Sequence, residues 1–343
     1  MGINRLDLEL LIQLRQRGDI PLNPCVIELG AQQLSNNFLR SEALVRTAEA
    51  AFGAAQPYSL PAPMPSTTSA RHGELLASDA PFARDFWISL GFEYSAIDVD
   101  GSPGSVPLDL NYDQVPDEMR GKYGLVTNFG TTEHVCNQMN AFKVMHDLAA
   151  PGAVMIHHLP AGGSLNHGLV NYTPKFFWYL ARSNDYKWLH MNFYASGKGY
   201  PVAENIIEIT RSYAPESSEI LQKHELTDYG LVVALQKTLD IPFVAPIDIE
   251  TGTRSNNTAF NRRYWTVLQP EMLEAARQGG ERPPALAALL TQEDAAATRD
   301  REIRNALQRL PGRRFLAFTV AVSALSAAIL TAVLVFGMKA LFF

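Results

Sequence analysis

Short apolar runs that alternate with helical runs constrain the fold of this chain more than any other feature of its sequence. Seven runs are strand-like: 25–30 (CVIELG), 94–100 (YSAIDVD), 106–111 (VPLDLN), 123–130 (YGLVTNFG), 153–160 (AVMIHHLP), 187–195 (KWLHMNFYA) and 230–238 (GLVVALQKT). Three runs between them have helical spacing: 81–90, 132–149 and 174–183. This alternation predicts an α/β fold, a doubly wound and mostly parallel seven-stranded sheet with helices on both faces.

Composition divides the chain of 343 residues into four segments. We expect a leading amphipathic helix at 1–20 and a main domain at 21–250. Within that domain, 33–80 contains a helical stretch and then a Pro/Ser-rich run, which we interpret as an inserted lid. Residues 251–314 are predicted to be a linker and an amphipathic helix, and residues 315–338 a transmembrane helix.

The segment 315–338 carries no charged residue. Its length matches the roughly 20 apolar residues that a bilayer requires. Six arginines precede it, at positions 299, 301, 304, 309, 313 and 314. By the positive-inside rule these arginines lie on the cytoplasmic side. The sequence therefore predicts a single-pass membrane protein with a C-terminal anchor and its main domain in the cytoplasm.

Charge and cysteine content exclude several classes of protein. The net charge of −6 and the absence of a basic run with aromatics argue against a nucleic-acid partner. The two cysteines, Cys25 and Cys136, form no CxxC pair, so neither a thiol zinc site nor a disulfide scaffold is expected. Nothing in the sequence fixes the oligomeric state.

Polar residues follow five successive strands of the predicted sheet. They are Glu28 and Gly30, Asp98 and Asp100, Asp109 and Asn111, Asn128, and His157 and His158. In doubly wound sheets, ligands bind beyond the carboxyl ends of the strands. A sheet built only for packing has no need of polar residues on one edge. The sequence therefore predicts a ligand site along that edge.

The order VIELGA, IDVD, DLN, LVTNFGTTEH and a strand after PGA resembles the class I S-adenosylmethionine-dependent methyltransferases, over about residues 20–240. The segment NFGTTEH…HDL…PG…H is similar to a bacterial branch of that family. The resemblance implies a Rossmann-like domain with S-adenosyl-L-methionine as cofactor. Glu28 and Gly30 match the first motif, with Gln32 beside the methionine moiety, Asp98 matches the ribose-binding acid, and Asp109 matches the residue beside the adenine. Asn111 and Asn128 complete the predicted cofactor site.

Methyl transfer requires alignment of the acceptor with the sulfonium, and a base if the acceptor carries a proton. We expect His157, His158 or His167 to be that base, because histidine titrates near neutral pH. The acceptor is expected to be a small molecule, a glycan or a lipid-linked intermediate near the membrane. We predict no metal, since the spacing of His157, His158, His167 and Glu133 is not diagnostic of a metal site.

Two other functions stay open. A NAD(P)-dependent Rossmann oxidoreductase shares the sheet, but the sequence ELGAQQLS lacks its GxGxxG motif and no YxxxK lies near strand five. A non-catalytic, membrane-tethered scaffold on a methyltransferase fold is favoured by the single glycine of the first motif. The combination of Glu28, Asp98, Asp109 and Asn128 argues against the scaffold.

Overall fold

A computed structural model of the chain describes residues 2–22, 24–63, 80–163, 166–195, 229–250, 253 and 255–278. Seven strands of these residues form one sheet in the order β3-β2-β1-β4-β5-β7-β6. The strands are β1 (Cys25–Leu29), β2 (Glu93–Ile97), β3 (Ser105–Val106), β4 (Tyr123–Phe129), β5 (Ala149–Gly162), β6 (Lys187–Ala195) and β7 (Tyr229–Gln236). The predicted seven-stranded α/β sheet is confirmed.

One strand of the sheet runs against the others. β1 to β5 pair in parallel, whereas β7 pairs antiparallel with both β5 and β6. β6 therefore runs in the same direction as β1 to β5, and only β7 is reversed. The sheet is therefore mostly parallel, as the sequence predicted.

Helices cover both faces of the sheet. They are α1 (Arg5–Gln16), α2 (Asn36–Leu39), α3 (Glu42–Phe52), α4 (Arg84–Ser89), α5 (Gln138–Leu148), α6 (Pro174–Asn184), α7 (Thr258–Arg263), α8 (Trp265–Leu268) and α9 (Pro270–Arg277). One buried apolar cluster joins α5 and α6 to the sheet, and a second joins α1, α3 and α4 to it. Because β1 and β4 are buried on both faces, their sequences are nearly continuous apolar runs.

The chain reverses its direction of winding at the centre of the sheet. From β1 it proceeds outward to β2 and β3, and then returns to add β4 and β5 on the other side of β1. The connections that leave β1 and β4 consequently diverge to opposite sides. Such a point leaves a crevice at the carboxyl ends of the two strands, where doubly wound folds bind ligands.

The leading helix is a structural layer of the sheet domain. Ile3 forms a parallel bridge with Leu34, and Leu8 and Leu11 of α1 are fully buried against the sheet. Asn4 caps the helix: its side chain accepts bonds from the first turn, while Asp7 accepts a bond from the Asn4 backbone. The cap fixes the start of α1.

Two predicted elements differ from the structure. The strand expected at 106–111 ends at Val106, because Pro107 has no N–H to donate to a ladder and Asp109 then organises a turn. The helix expected at 132–149 begins only at Gln138, with Asn137 as its N-cap. Thr131 and Thr132, at the start of the expected helix, are bonded to strand ends: Thr131 to the Leu29 carbonyl, and Thr132 to Asn128.

The predicted lid is in part a layer of the core. Within 33–80, α2 and α3 bury Phe38 and Phe52 in the same cluster as α1. Residues 64–79, which contain the rest of the Pro/Ser-rich run, lie outside the described residues. The lid function stays a prediction.

The segment predicted as a linker begins with three short helices, α7 to α9. Trp265 of α8 is buried, and Thr266 donates a hydrogen bond to the Ser183 carbonyl of α6. Pro270 occupies the first turn of α9, where a proline initiates a helix instead of breaking it. Met1–Glu281 forms one compact unit.

Among the described residues, no helix is sufficiently long and apolar to cross a membrane. The segment 315–338 and the arginines before it lie outside the described residues. The membrane anchor therefore stays a prediction from the sequence.

Candidate functional site

The loop after β1 is held between the ends of β2 and β4. The Gly30 N–H donates to the Ile97 carbonyl at 2.7 Å, and Gly30 has a φ of 73°, which favours glycine. A Cβ at this position would lie 2.5 Å from Thr131 Oγ1. The positive φ and the close approach of Thr131 both require glycine at position 30. This single glycine allows the loop to lie against the end of β4.

Asp98 joins the end of β2 to this loop. Its Oδ2 accepts a hydrogen bond from the Ala31 N–H at 2.9 Å, while Oδ1 has only a long contact of 3.4 Å from the Asp100 N–H. Asp98 is half-buried, so its carboxylate retains the capacity to accept a bond from a ligand. Asp100 is exposed and bonds Ser102 locally. The geometry favours Asp98 over Asp100 as the ligand-binding acid.

Gln32 provides a second group suited to a ligand. Its Nε2 donates to the carbonyls of Leu29 and Gly30 at 2.9 and 3.0 Å. Its Oε1 is buried and has no hydrogen-bond partner among the described residues. A buried acceptor without a partner is costly, and a donor on a bound ligand would satisfy it. Gln32 and Asp98 therefore fit a ligand with N–H or O–H donors at both ends.

The sequence predicted that Glu28 contacts the cofactor. In the structure Glu28 points into the domain and supports the loop after β1 from below. It is fully buried and accepts bonds from Trp87 Nε1 at 2.7 Å, the Tyr94 hydroxyl at 2.8 Å and the Gln32 N–H at 2.9 Å. Burial raises the pKa of Glu28 to about 7, against the effect of these three donors. Neither Trp87 nor Tyr94 was anticipated from the sequence.

Asp109 and Asn111 shape the loop after β3. Asp109 Oδ1 accepts the Asn111 N–H at 2.8 Å, a local turn. The Asn111 side chain and carbonyl both accept bonds from Asn137, the cap of α5. The two residues are half-buried at the same edge of the sheet as Asp98. Oδ1 of each residue is engaged within the protein, so the structure gives both residues a role in forming the loop.

Asn128 lies beneath the loop after β4. Its side chain is fully buried, donates to Thr132 Oγ1 at 2.8 Å and accepts the Thr132 N–H at 3.2 Å. Its Nδ2 also lies 3.3 Å from His157 Nδ1. Asn128 therefore holds the backbone turn that follows β4. Its effect on a bound cofactor would be indirect, through the position of that turn.

His157 has the surroundings of a core histidine. It is 1% exposed, and its ring lies 5.5 and 4.9 Å from the rings of Phe142 and Phe177. Burial lowers the pKa of His157 to about 3. Its Nε2 has no partner among the described residues. This enclosed, neutral imidazole is poorly suited to the predicted role of general base.

The buried position of His157 predicts a pH dependence of stability. The folded pKa of about 3 lies below the ordinary value of 6.5, so the stabilisation is complete above pH 6.5 and is lost as the pH falls toward 3. Between pH 7 and 5 we expect a loss of about 2 kcal/mol from this residue. Urea unfolding of the wild type and of His157→Leu at pH 7 and pH 5 measures this loss. The free energy of unfolding of the wild type, relative to that of the variant, should be about 2 kcal/mol lower at pH 5 than at pH 7.

The comparison between wild type and variant is needed because Glu28 changes the stability with pH in the direction opposite to His157. Its pKa is raised to about 7, so its contribution is lost as the pH rises through that value. Glu28 is present in both proteins, and its effect cancels in the difference. A difference that is the same at pH 7 and pH 5 would show that His157 does not titrate as its burial implies.

His158 faces the opposite side of the sheet, as alternation along β5 requires. Its Nδ1 lies 2.9 Å from Asp7 Oδ1 of α1, and the two side chains are 2% and 0% exposed. Asn4 Nδ2 also approaches this nitrogen, at 3.4 Å. Sequence reasoning missed Asp7. The capping box from Asn4 to Asp7 could have identified the start of α1, although not the partner of Asp7.

His167 is brought to the loop after β4. Its Nε2 lies 3.3 Å from Oε1 of the fully buried Glu133, and the side chain of His167 is 36% exposed. His134 lies on the other side of the same carboxylate, with Nε2 at 3.8 Å from Oε1. Desolvation by burial lowers the pKa of His134. The sequence treated His134 as a residue of a helical first turn, and its place beside His167 was not anticipated.

Exposed apolar side chains surround this edge of the sheet. Of the six large apolar residues that are exposed within the described part of the chain, four follow strand ends: Val99, Tyr112, Met139 and Leu169. They belong to the connections after β2, β3, β4 and β5 in turn. Exposed apolar groups near polar ones are typical of ligand sites. A ligand at this edge would therefore meet apolar surface around the polar crevice.

A cavity lies elsewhere in the described part of the chain. It has a volume of about 920 Å³ and is lined mainly by residues 53–61 and by α4, with Tyr58, Phe82 and Arg84 among them. None of the polar strand-end residues lines it. The residues at the switch point, and not this cavity, therefore locate the candidate site.

Comparisons with known proteins give matches by structure only. No family model matches the sequence, and no curated protein matches it significantly. Similar solved structures include coclaurine N-methyltransferase bound to N-methylheliamine and S-adenosylhomocysteine, at 9% identity and a TM-score of 0.36, over 68% of this chain and 72% of that one. A methyltransferase from Thiobacillus denitrificans in complex with S-adenosylhomocysteine has 11% identity and a TM-score of 0.32, over 69% and 100%.

The [4+2]-cyclase SpnF is also similar, at 8% identity and a TM-score of 0.32, over 69% of this chain and 83% of that one. Several of these similar structures are S-adenosylmethionine-dependent methyltransferases, and one of them is a cyclase. Because the TM-scores are all below 0.5, the function of this chain is argued from the geometry of its own residues.

Proposed function

We propose that this chain is an S-adenosyl-L-methionine-dependent methyltransferase. The observation that carries the proposal is the hydrogen bond from the Ala31 N–H to Asp98, which ties a single-glycine loop to an acid at the switch point. Asp98 remains half-buried, with Oδ1 weakly engaged. An acid in this position accepts the hydroxyls of a ribose in doubly wound folds.

Three features of the site fit this cofactor. The carboxylate of Asp98 suits the ribose diol, and the unpartnered Oε1 of Gln32 suits an ammonium or another N–H donor. Val99 is 69% exposed directly after Asp98 and offers an apolar surface to an adenine ring. When bound, the cofactor supplies an activated methyl group, while the protein binds and orients the reactants. Glu28 and Asn128 contribute by holding the loops in place.

The acceptor we propose is a small molecule with an apolar portion. The exposed side chains of Tyr112, Met139 and Leu169 support this proposal, because they stand beyond the strand ends where the acceptor would approach. Of the three predicted histidines, His157 and His158 are 1% and 2% exposed, whereas the side chain of His167 is 36% exposed, so an acceptor could reach His167. A glycan or lipid-linked acceptor near the membrane would additionally require the anchor at 315–338, which stays a prediction.

Calorimetric titration of the full-length protein tests the proposal. We expect S-adenosylmethionine and S-adenosylhomocysteine to bind at one site per chain, and NAD(P) not to bind. Competition between the two sulfur compounds would show that they share the site. Binding of NAD(P) in their place would establish the oxidoreductase instead. A folded protein that binds none of these compounds would leave the scaffold as the function.

A further inference from the structure

The loop after β4 carries a cluster of metal-ligating side chains. Glu133 and His134 lie in the 3-10 turn Thr132–His134, and His167 lies in the connection after β5. One ligand atom from each of the three residues lies within 4.8 Å of the other two. We propose that Glu133, His134 and His167 bind a divalent transition-metal ion, with zinc the best match to two imidazoles and one carboxylate.

The distances are close to those of a coordination shell. Ligands placed about 2.05 Å from a tetrahedral zinc ion are separated from one another by about 3.4 Å. Glu133 Oε1 lies 3.3 Å from His167 Nε2 and 3.8 Å from His134 Nε2. The first pair needs no movement. The exposed rings of His134 and His167 can complete the closure by small rotations of their side chains.

The backbone holds the two parts of the cluster together. The N–H groups of Leu169 and Val170 both donate to the Glu133 carbonyl, at 2.6 and 3.2 Å. Gly168, with a φ of 72°, approaches so closely that a Cβ there would lie 2.8 Å from Glu133 Cγ. The position of His167 relative to Glu133 is consequently set by main-chain bonds and close packing. A preorganised cluster loses little conformational entropy when it binds an ion.

Glu133 provides an independent observation in favour of a ligand. Its side chain is fully buried, and its Oε2 has no hydrogen-bond partner among the described residues. A buried carboxylate oxygen without a partner carries a large desolvation cost. A cation held by Oε1 and the two histidines would compensate the charge of this carboxylate.

The arrangement leaves coordination positions open. Three protein ligands and a fourth, solvent-accessible position are the pattern of catalytic zinc sites, whereas structural sites are closed by four protein ligands. The side chain of His134 is 50% exposed and that of His167 is 36% exposed, so water or an oxygen of a bound molecule can reach the ion. This inference concerns metal binding itself and does not depend on the proposed methyl transfer.

Titration of the metal-free, full-length protein with Co²⁺, followed by competition with Zn²⁺, tests the site. We expect one Co²⁺ per chain, with the visible absorption of a four- or five-coordinate ion that Zn²⁺ abolishes. His134→Ala and His167→Ala should each lower the affinity at least ~100-fold, the upper range for loss of a supporting group around a metal. Both positions are partly exposed, so these variants should retain the wild-type circular dichroism spectrum.

His190→Ala is the matched control, because His190 lies on β6 outside the cluster. This variant should bind Co²⁺ as tightly as the wild type. Absence of Co²⁺ and Zn²⁺ binding by the wild type would show that the cluster is only an ion pair of Glu133 with a histidine. Wild-type affinity in both His134→Ala and His167→Ala would place any bound metal elsewhere. The measurement contains no methyl donor, so its outcome is separate from that of the cofactor titration.

Discussion

Replacement of Asp7 by alanine is expected to lower the free energy of unfolding by about 1–3 kcal/mol, the usual cost of leaving a buried hydrogen-bonding group without its partner. Asp7 is fully buried and lies 2.9 Å from Nδ1 of the equally buried His158. It also accepts the Asn4 N–H at 2.9 Å in the cap of α1. The substitution removes both bonds and leaves His158 Nδ1 with its longer contact to Asn4 Nδ2, at 3.4 Å. Urea unfolding at pH 7 measures the loss.

A double-mutant cycle separates the pair from the cap. Asp7→Ala and His158→Ala should be non-additive by about 1–3 kcal/mol, because residues in contact share their interaction energy. Glu9→Ala is the control on the same helix: Glu9 pairs with the exposed Arg5, and such a surface pair contributes little. Additive effects of the Asp7 and His158 substitutions would mean that the two residues stabilise the protein independently.

Replacement of Asp98 by alanine is expected to weaken S-adenosylmethionine binding by about 10- to 150-fold. A hydrogen bond to a charged group contributes about 1.5–3 kcal/mol, which corresponds to this range. Asp98 also secures the Ala31 N–H, so its removal loosens the loop as well as the contact with the ligand. Calorimetric titration of the purified variant measures the change.

Asp100→Ala is the matched control for Asp98→Ala. Asp100 lies two residues further on, is exposed, and bonds only locally, to Ser102 and through the long contact with Asp98. We expect its removal to change the affinity little. If Asp98→Ala is folded and binds the cofactor as the wild type does, while Asp100→Ala does not, the ligand-binding acid is Asp100 and the assignment of the crevice must change accordingly.

Periodicity alone was sufficient for most of the sheet. The boundaries of β1, β4 and β7 follow apolar runs closely, because burial on both faces leaves little room for polar residues within a strand. The same reasoning failed at 106–111, where Pro107 ends the ladder. It also placed the start of α5 too early, since Thr131 and Thr132 bond to strand ends and do not cap the helix.

The candidate site was predictable in its location and less so in its contacts. Strand-end position identified Gly30 and Asp98, because the carboxyl ends of parallel strands share one edge. It could not show that Glu28 turns inward to Trp87, since that contact depends on a helix 59 residues away. Nor could it show whether His157 or His158 faces α1, because alternation fixes only that the two point to opposite sides.

The bond between Asp7 and His158 joins residues that are 151 positions apart in the chain. At a synthesis rate of about 5–20 residues per second, roughly 8–30 s separate the appearance of Asp7 from that of its partner. During that interval α1 can pack against α3, which is made soon after it, but its acid lacks the partner that it has in the folded protein. The segment made first is thus secured late, after β5 has been added. A ribosome-bound nascent chain that ends before His158 should therefore leave α1 open to proteolysis, and one that extends through β7 should protect it.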